Sequence, residues 1–367
     1  MGAIGKIKQV IVRSLKRLED RFWKIDTQDE KEYCVFYQTN FWGEDIEEER
    51  NQFKLQNRLP YFDFFVEMES KYHYSYRTAV LIDPKRGWLI DEKSRKLFSK
   101  SFPYYNNPFS GRIYYPNAWH FIHPFKKVTT LEQAINVPHG WENYFHFFIE
   151  TLPQLVMLDE LNIDQQVPII VPAHVRTLRY VKEFFELSNL LGEREIIVQE
   201  PEQYIRVTAC THVLKEIGFP KEAFVQLLHS FKDQSFLENK GERKIYLKRA
   251  QDKQRSIVNA TEIEDFLSGR GYEIVDAEVL SLQEQITLFS SASKIIGIHG
   301  AGLTNILFRY GRPLELIEIF PEGHAPEHYK ILSATLGYNY SSVNGLELNQ
   351  QKKFVLPLEK LKTLRIL

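Results

Sequence analysis

The chain has only two cysteines in 367 residues, Cys34 and Cys210, and no CxxC pair. That usage excludes a disulfide-stapled scaffold and a cysteine-rich zinc site, and it fits a reducing cytoplasm. Net charge is lacking too. With 47 basic residues against 48 acidic ones, there is no global basic field to hold nucleic acid. No apolar run is long enough to span a bilayer, no secretory signal is read at the start, and no repeat or low-complexity tract occurs. What is present is length and apolar content: at 43% hydrophobic, the chain can bury a large core, and its length leans towards two domains. Aromatics are abundant, with 19 Tyr and 26 Phe, and need a place in the fold.

Residues 1–25 read as a basic amphipathic helix. Ile4, Ile7, Ile11, Leu15, Leu18, Phe22 and Ile25 recur at helical spacing, with Lys6, Lys8, Arg13, Lys16, Arg17, Arg21 and Lys24 between them. Such a helix lies on an anionic membrane surface, packs on a partner chain, or caps its own domain. Lys6 stands where a myristoylation pattern needs Ser or Thr. Residues 26–125 are rich in aromatics and turn formers, with short strands expected at 77–83 and 87–91. Most of these rings are expected in a core, although a sugar-stacking groove is the other reading.

From about residue 127 strands and helices alternate. Strand 127–136 leads to a helix near 141–160, strand 167–171, a helix near 174–190, strands 194–199 and 206–214, and a helix at 220–235. The polar stretch Asn239-Lys-Gly-Glu242 reads as a linker. A second series follows: strand 243–248, helix 259–269, strand 272–276, helix 281–292, strand 294–299, helix 302–309 and strand 314–319. Ser281 and Glu284 have capping-box spacing. Alternation with continuous apolar strands predicts doubly wound parallel sheets, hence two Rossmann-like domains facing a cleft.

Three constellations carry chemistry. In the first, the β-branched run Lys294-Ile-Ile-Gly-Ile298 ends in His299-Gly-Ala-Gly302, and an apolar helical segment follows. The amides of Gly300, Ala301 and Gly302 then sit at a helix N-terminus, which suits phosphate. Asn305 stands where a dinucleotide fingerprint has its third glycine, so a nucleotide site fits better than a nicotinamide cofactor. Glu318, at the end of the next strand, is placed to accept from ribose hydroxyls. In the second, strand 243–248 ends at Lys248-Arg249, a loop carries Arg255, and Asn259 opens a helix, all at the same sheet edge as His299. Guanidinium forks suit a diphosphate there. In the third, His146 and Glu150 are helical i,i+4 neighbours. Three roles stay open for the pair: a base with its helper, two ligands of a metal, or a structural pair. For His120 and His123 metal ligation is the other reading, and ordinary hydrogen bonds are expected.

The set Asn143-x-x-His146-x-x-x-Glu150, Tyr246-Leu-x-Arg249 with Arg255 and Asn259, Gln285, Gly297-x-His-Gly-Ala-Gly-Leu303 and Ile317-Glu318 resembles glycosyltransferase family 61 over roughly residues 127–345. The resemblance implies a GT-B fold and inverting transfer from a nucleotide-diphosphate sugar, with UDP the expected carrier. The sugar is a hexosyl, N-acetylhexosaminyl or pentosyl group, and no metal or separate cofactor is obligatory. It makes Glu150 the general base with His146 beside it, and lines the donor site with Arg249, Arg255, Asn259, His299, Gly300, Ala301, Gly302 and Glu318. Asn143 and Trp141 fall on the acceptor side. The expected organisation is a helix at 1–25, an acceptor-side domain at 26–238, a donor domain at 239–345, and a tail, 346–367, packed back on the N-terminal domain. The acceptor is a glycan or lipid-linked hydroxyl in surface-polysaccharide synthesis, at the cytoplasmic face of the inner membrane, since well-known secretory members differ by their signals. The competing readings are an NAD-dependent oxidoreductase and a non-catalytic glycan-binding protein.

Overall fold

A computed structural model describes residues 22–26, 34–37, 73–76, 79–85, 87–98, 101, 115–138, 140–160, 163–213, 221–238 and 241–362. Most of the helix expected at 1–25, and the aromatic stretches 61–72 and 102–114, lie outside these residues. The described chain is mixed α/β, with two sheets rich in parallel strands, compatible with Rossmann-like units.

The first sheet contains β1 (Lys24–Asp26), β2 (Cys34–Tyr37), β3 (His73–Tyr76), β4 (Val80–Ile82), β5 (Leu89–Asp91), β6 (Lys96–Phe98), β7 (Lys127–Asn136), β8 (Ile169–Pro172), β9 (Ile196–Gln199) and β10 (Gln203–Val213). Strands β10, β7, β8 and β9 run parallel in that order, while β3 and β4 pair antiparallel with β10 and extend it into a mixed wing. This sheet is therefore not uniformly parallel as the alternation predicts. Lys24–Asp26 pairs with β6, so the predicted helix does not run through residue 25; a sheet edge with open backbone groups outweighs helical periodicity there.

The second sheet holds β11 (Arg243–Leu247), β12 (Glu273–Val275), β13 (Ala292–Ile298), β14 (Glu315–Phe320) and β15 (Asn339–Asn344), all parallel, in the order β12-β11-β13-β14-β15. This is the flavodoxin-like winding, whose order reverses between β11 and β13; ligands of such sheets bind where the strands end at that reversal. Arg249 follows β11 and His299 follows β13.

The helices are α1 (Ala118–Ile122), α2 (Tyr144–His146), α3 (Leu152–Glu160), α4 (Arg179–Leu187), α5 (Lys221–His229), α6 (Ala260–Ser268), α7 (Leu282–Ser290), α8 (His328–Leu336) and α9 (Leu358–Lys362). Between α2 and α3 the chain makes a π-helical turn, Phe147–Thr151. The segment expected as a helix at 302–309 is a 3-10 helix, Ala301–Arg309. The Ser281–Glu284 capping box forms in both directions, a device that contributes about 1 kcal/mol. The predicted series stops at strand 314–319, yet α8, β15 and α9 follow it.

One apolar core joins the two sheets. Phe147, Phe148, Phe184, Phe231 and Phe308 meet edge-to-face within it, which accounts for part of the aromatic content. A second core lies on the far face of the C-terminal sheet and includes Phe354, Leu356 and Leu361. The described part of the tail, residues 346–362, thus packs on the C-terminal sheet and not on the N-terminal domain. Ile257 and Phe354 form a bridge there, and the apolar residues of α6 already need that cover.

Candidate functional site

Loops at the carboxyl ends of β11, β13 and β14 meet the start of the α2 segment. Gly300 is the key to the first contact. An added Cβ would stand 2.5 Å from Arg249 Nη1, so the guanidinium lies directly against the turn. Arg249 Nε donates to Gln254 O at 2.7 Å. Arg255 stands close enough to depress the basicity of Arg249, second to burial. Neither arginine forms an ion pair among the described residues. Arg255 also sits in the left-handed region at φ 65°, unusual for a side chain of its size and costing on the order of 1–3 kcal/mol. Its amide donates to Lys352 O at 2.7 Å, and Val258 N donates to Phe354 O at 2.8 Å. The tail therefore fixes the loop that presents this cation.

His299 faces both arginines. Its ring stacks on Phe320 with centroids 5.3 Å apart, and Nδ1 lies 2.6 Å from Glu318 Oε1. Tyr340 donates its hydroxyl to Glu318 Oε2 at 2.8 Å. Glu318 is wholly buried, and burial pushes its carboxyl up to about 8. Burial first, then the charges of Arg255 and Arg249, hold His299 down at about 4. Near neutrality the pair then carries no net charge. Whichever partner holds the shared proton, Nδ1 is engaged by Glu318 and Nε2 carries a hydrogen that it can donate. Both oxygens of Glu318, the residue expected to accept from ribose, have partners inside the protein.

Two further histidines were not singled out by the sequence. His324 Nε2 lies 3.3 Å from Arg255 Nη1, and His328 lies 6.2 Å from His299 between ring centroids. Burial holds His328 down at about 4, helped by the charges of His299 and His146. Their four-residue spacing was the available signal, but the helix carrying His328 was not foreseen.

On the facing wall, Asn143 caps α2, its Oδ1 accepting from the amides of Phe145 and His146. Asn143 thereby orders the first turn of that helix. His146 Nδ1 lies 2.5 Å from Glu150 Oε1. The Glu150 side chain is fully buried on the π-turn, whereas that of His146 is 30% exposed. Single π-turns cluster at functional sites. The acid expected to meet the acceptor is thus the inner member of the pair. Trp141 is also inside: it is buried, donates Nε1–H to Val137 O at 2.7 Å and packs on Phe147. It belongs to the core because the α2 entry folds over it. Asn259 exchanges bonds with the Leu356 backbone in both directions and donates to Glu262, so its amide latches the tail instead of lining the pocket.

The two walls are tied by Tyr144, whose hydroxyl donates to Asn305 Oδ1 at 2.7 Å. Asn305 Nδ2 in turn donates to Gln285 Oε1 and Gly302 O. Phe145 touches the rings of His328 and Tyr329 at 5.3 and 5.6 Å. Tyr329 donates to Gly300 O at 2.7 Å. The His146–Glu150 pair therefore stands across His328 from the His299 turn. Among the described residues, no group of three or more His, Cys, Asp or Glu side chains is placed to hold a metal ion, and no helix is long and apolar enough to cross a membrane.

Residues 144–314 match the model of the family Glycosyltransferase 61. The match bears out the resemblance over the stretch holding the dyad, both arginines and the glycine turn, and it points to glycosyltransferase activity in general. It is shorter than the 127–345 span of the motif reading and leaves Asn143 and Glu318 outside. No curated protein matches the chain.

Proposed function

We propose that the chain is an inverting glycosyltransferase of GT-B type that takes its sugar from a nucleotide diphosphate. The observation that carries this reading is the pair Arg249 and Arg255, close together at the reversal point of a flavodoxin-like sheet and without an ion pair to a carboxylate among the described residues. Two mutually repelling guanidiniums with no ion pair among the described residues, Arg249 feeling only the longer-range attraction of Glu278, suit an anion with several oxygens.

In the proposed complex the pyrophosphate lies against Arg249 and Arg255. It accepts from the first amides of the 3-10 helix, Ala301 and Gly302, and from His299 Nε2–H. The acceptor hydroxyl approaches from the α2 wall. His146 takes its proton while Glu150, behind it, holds the ring and stabilises the imidazolium. The acceptor oxygen bonds to the anomeric carbon as the bond from that carbon to the phosphate oxygen breaks. The electron pair leaves with the diphosphate, whose growing charge meets the arginines. Attack opposite the leaving group inverts the carbon. Glu150 remains the second choice of base, and the variants below separate the two.

The proposed organisation keeps an acceptor-side domain at 26–238 and a donor domain beginning at 239, to which the tail is added. The donor we favour is UDP-linked, and the acceptor a glycan or lipid-linked hydroxyl at the cytoplasmic membrane face. The engagement of Glu318 by His299 and Tyr340 disfavours the oxidoreductase reading, which needs that acid on a ribose.

The test is calorimetric titration of the full chain with UDP and, separately, NAD. UDP is expected to bind the wild type and to lose affinity in Arg249→Ala and Arg255→Ala. Binding of NAD with no response to any nucleoside diphosphate overturns the proposal.

A further inference from the structure

Next to the glycine turn the two halves of the chain enclose a cavity of about 300 Å³. Ala301 and Gly302, whose amides open the 3-10 helix, form part of its lining. Tyr144 and Tyr180 line it from the first half, Glu278 and Gln285 from the second. Such a volume stands at the lower end of the range for small-molecule pockets.

The cavity is built rather than incidental. The rings of Tyr144 and Tyr180 meet edge-on with centroids 5.3 Å apart, and their hydroxyls donate to Asn305 Oδ1 and Trp141 O. The Leu282 amide donates to Glu183 Oε2 at 2.8 Å, which ties α4 to the start of α7. Arg179 donates to the carbonyls of Glu278 and Leu280 and lies 3.6 Å from Glu183. Gln285 donates to Leu280 O and accepts from Asn305. The guanidinium here is thus taken up by carbonyls and an acid. Fixed ring faces with satisfied polar edges suit a flat, uncharged group and not a second phosphate.

Its place relative to the dyad decides what that group is. Successive helical residues point about 100° apart, so Tyr144 and His146 leave α2 on opposed sides. His146 turns to Glu150, and Phe145, between the two, touches His328 and Tyr329. Tyr144 turns to Asn305 and the cavity. Arg249 lies against Gly300, between these ends, and feels the charges of both Arg255 and the cavity residue Glu278. The dyad, the arginines and the cavity therefore follow one another across the turn. A nucleotide sugar has the same order: sugar, diphosphate, nucleoside.

Resting on the proposed function, we infer that this cavity receives the nucleoside of the donor, with the base against the rings of Tyr144 and Tyr180. Bases pack on aromatic side chains through their π-faces, which needs no charge. With the anomeric carbon at the dyad and the diphosphate on the arginines, the base falls on the Tyr144 side of the turn. The donor then touches both halves of the chain, its diphosphate held by the second and its base by the first.

The test is photolabelling of the full wild-type chain with 5-azido-UDP, followed by peptide mapping. Label is expected on peptides carrying Tyr144, Tyr180 or residues 277–285, and excess UDP should suppress it. Calorimetry with UDP and with inorganic pyrophosphate supplies the second arm. Tyr180→Leu should lose about tenfold or more in UDP affinity and keep its affinity for pyrophosphate, whereas Arg249→Ala should weaken both. UDP-protected label confined to other peptides, or equal losses of UDP and pyrophosphate in Tyr180→Leu, overturns this inference and leaves the proposed function standing. Wild type that binds no UDP overturns this inference together with the UDP-linked donor on which it rests.

Discussion

His146 Nδ1 and Glu150 Oε1 lie 2.5 Å apart, and of the two side chains only the imidazole is exposed to solvent, at 30%. In the proposed mechanism the imidazole carries the proton and the carboxylate orders it. Replacing His146 by Ala should lower kcat by about a hundredfold or more, the range of a lost acid–base group. Glu150→Gln should lower kcat less. Both variants should keep the UDP-induced rise in Tm. A Glu150→Gln loss far exceeding that of His146→Ala would return the base role to the carboxylate.

Gly300 gives a test that separates folding from donor binding. Its backbone is extended, at φ 170°, so Ala adds no dihedral strain there. The new methyl would meet Arg249 Nη1 at 2.5 Å and push the guanidinium aside. Gly300→Ala should thus retain most of its stability while UDP affinity falls, measured by calorimetry. Arg249→Ala should cost roughly 1.5–3 kcal/mol of UDP binding, the usual worth of hydrogen bonds to a charged group. A Gly300→Ala chain with unchanged affinity would place the pyrophosphate elsewhere.

Binding should take up protons. In the free protein His299 and His328 are held at about 4, chiefly by burial and then by neighbouring positive charge. A bound diphosphate offsets that positive charge and raises both. UDP affinity should therefore increase as pH falls from about 7 to about 5, where wild type gains protons on binding. Titrations at about pH 6 in buffers of different ionisation heat should report net uptake. Buffer-independent heats would mean that the histidines do not face the ligand.

Stability should fall on both sides of an optimum near neutrality. Glu318 is raised from 4.5 to about 8 in the fold, so its contribution is complete below 4.5 and is lost as pH rises through about 8. His299 and His328 are lowered from 6.5 to about 4, so theirs is complete above 6.5 and is lost as pH falls through about 4. Tm of wild type should decline on the alkaline side between about pH 6.5 and 8.5. Glu318→Gln keeps both hydrogen bonds, as the amide donates to Nδ1 and accepts from Tyr340. It should flatten the alkaline arm and leave the acid arm in place. An unchanged alkaline slope would show that Glu318 is ionised in the fold.

Where the chain alternates apolar strands with capped helices, local pattern and tertiary demand agree. The span 127–136 is the strand expected, and Ser281–Glu284 is the cap expected. The placement of Arg249 and His299 at one sheet edge was equally legible, because strand ends converge in a parallel sheet whatever the side chains do. The role of Glu318 was not. The identity of an acid at a strand end does not reveal that Tyr340, 22 residues on, closes its second oxygen. Trp141 and Asn259 carry residue types that suit ligands, yet each is used by its own fold, one in a core and one in a latch. The inner place of Glu150 depends on a π-turn, and an i,i+4 pattern looks the same on either winding. His328 sits on a helix whose short, Tyr- and Ser-containing sequence lacks a marked amphipathic stripe.

The bond from the Arg255 amide to Lys352 O, with the Ile257–Phe354 bridge beside it, has a bearing on biosynthesis. A nascent polypeptide that has emerged only as far as residue 345 already holds β11 through β15 but has nothing to pin the second guanidinium. Under the proposed function, donor binding would be completed only once residues 352–356 have docked on this loop.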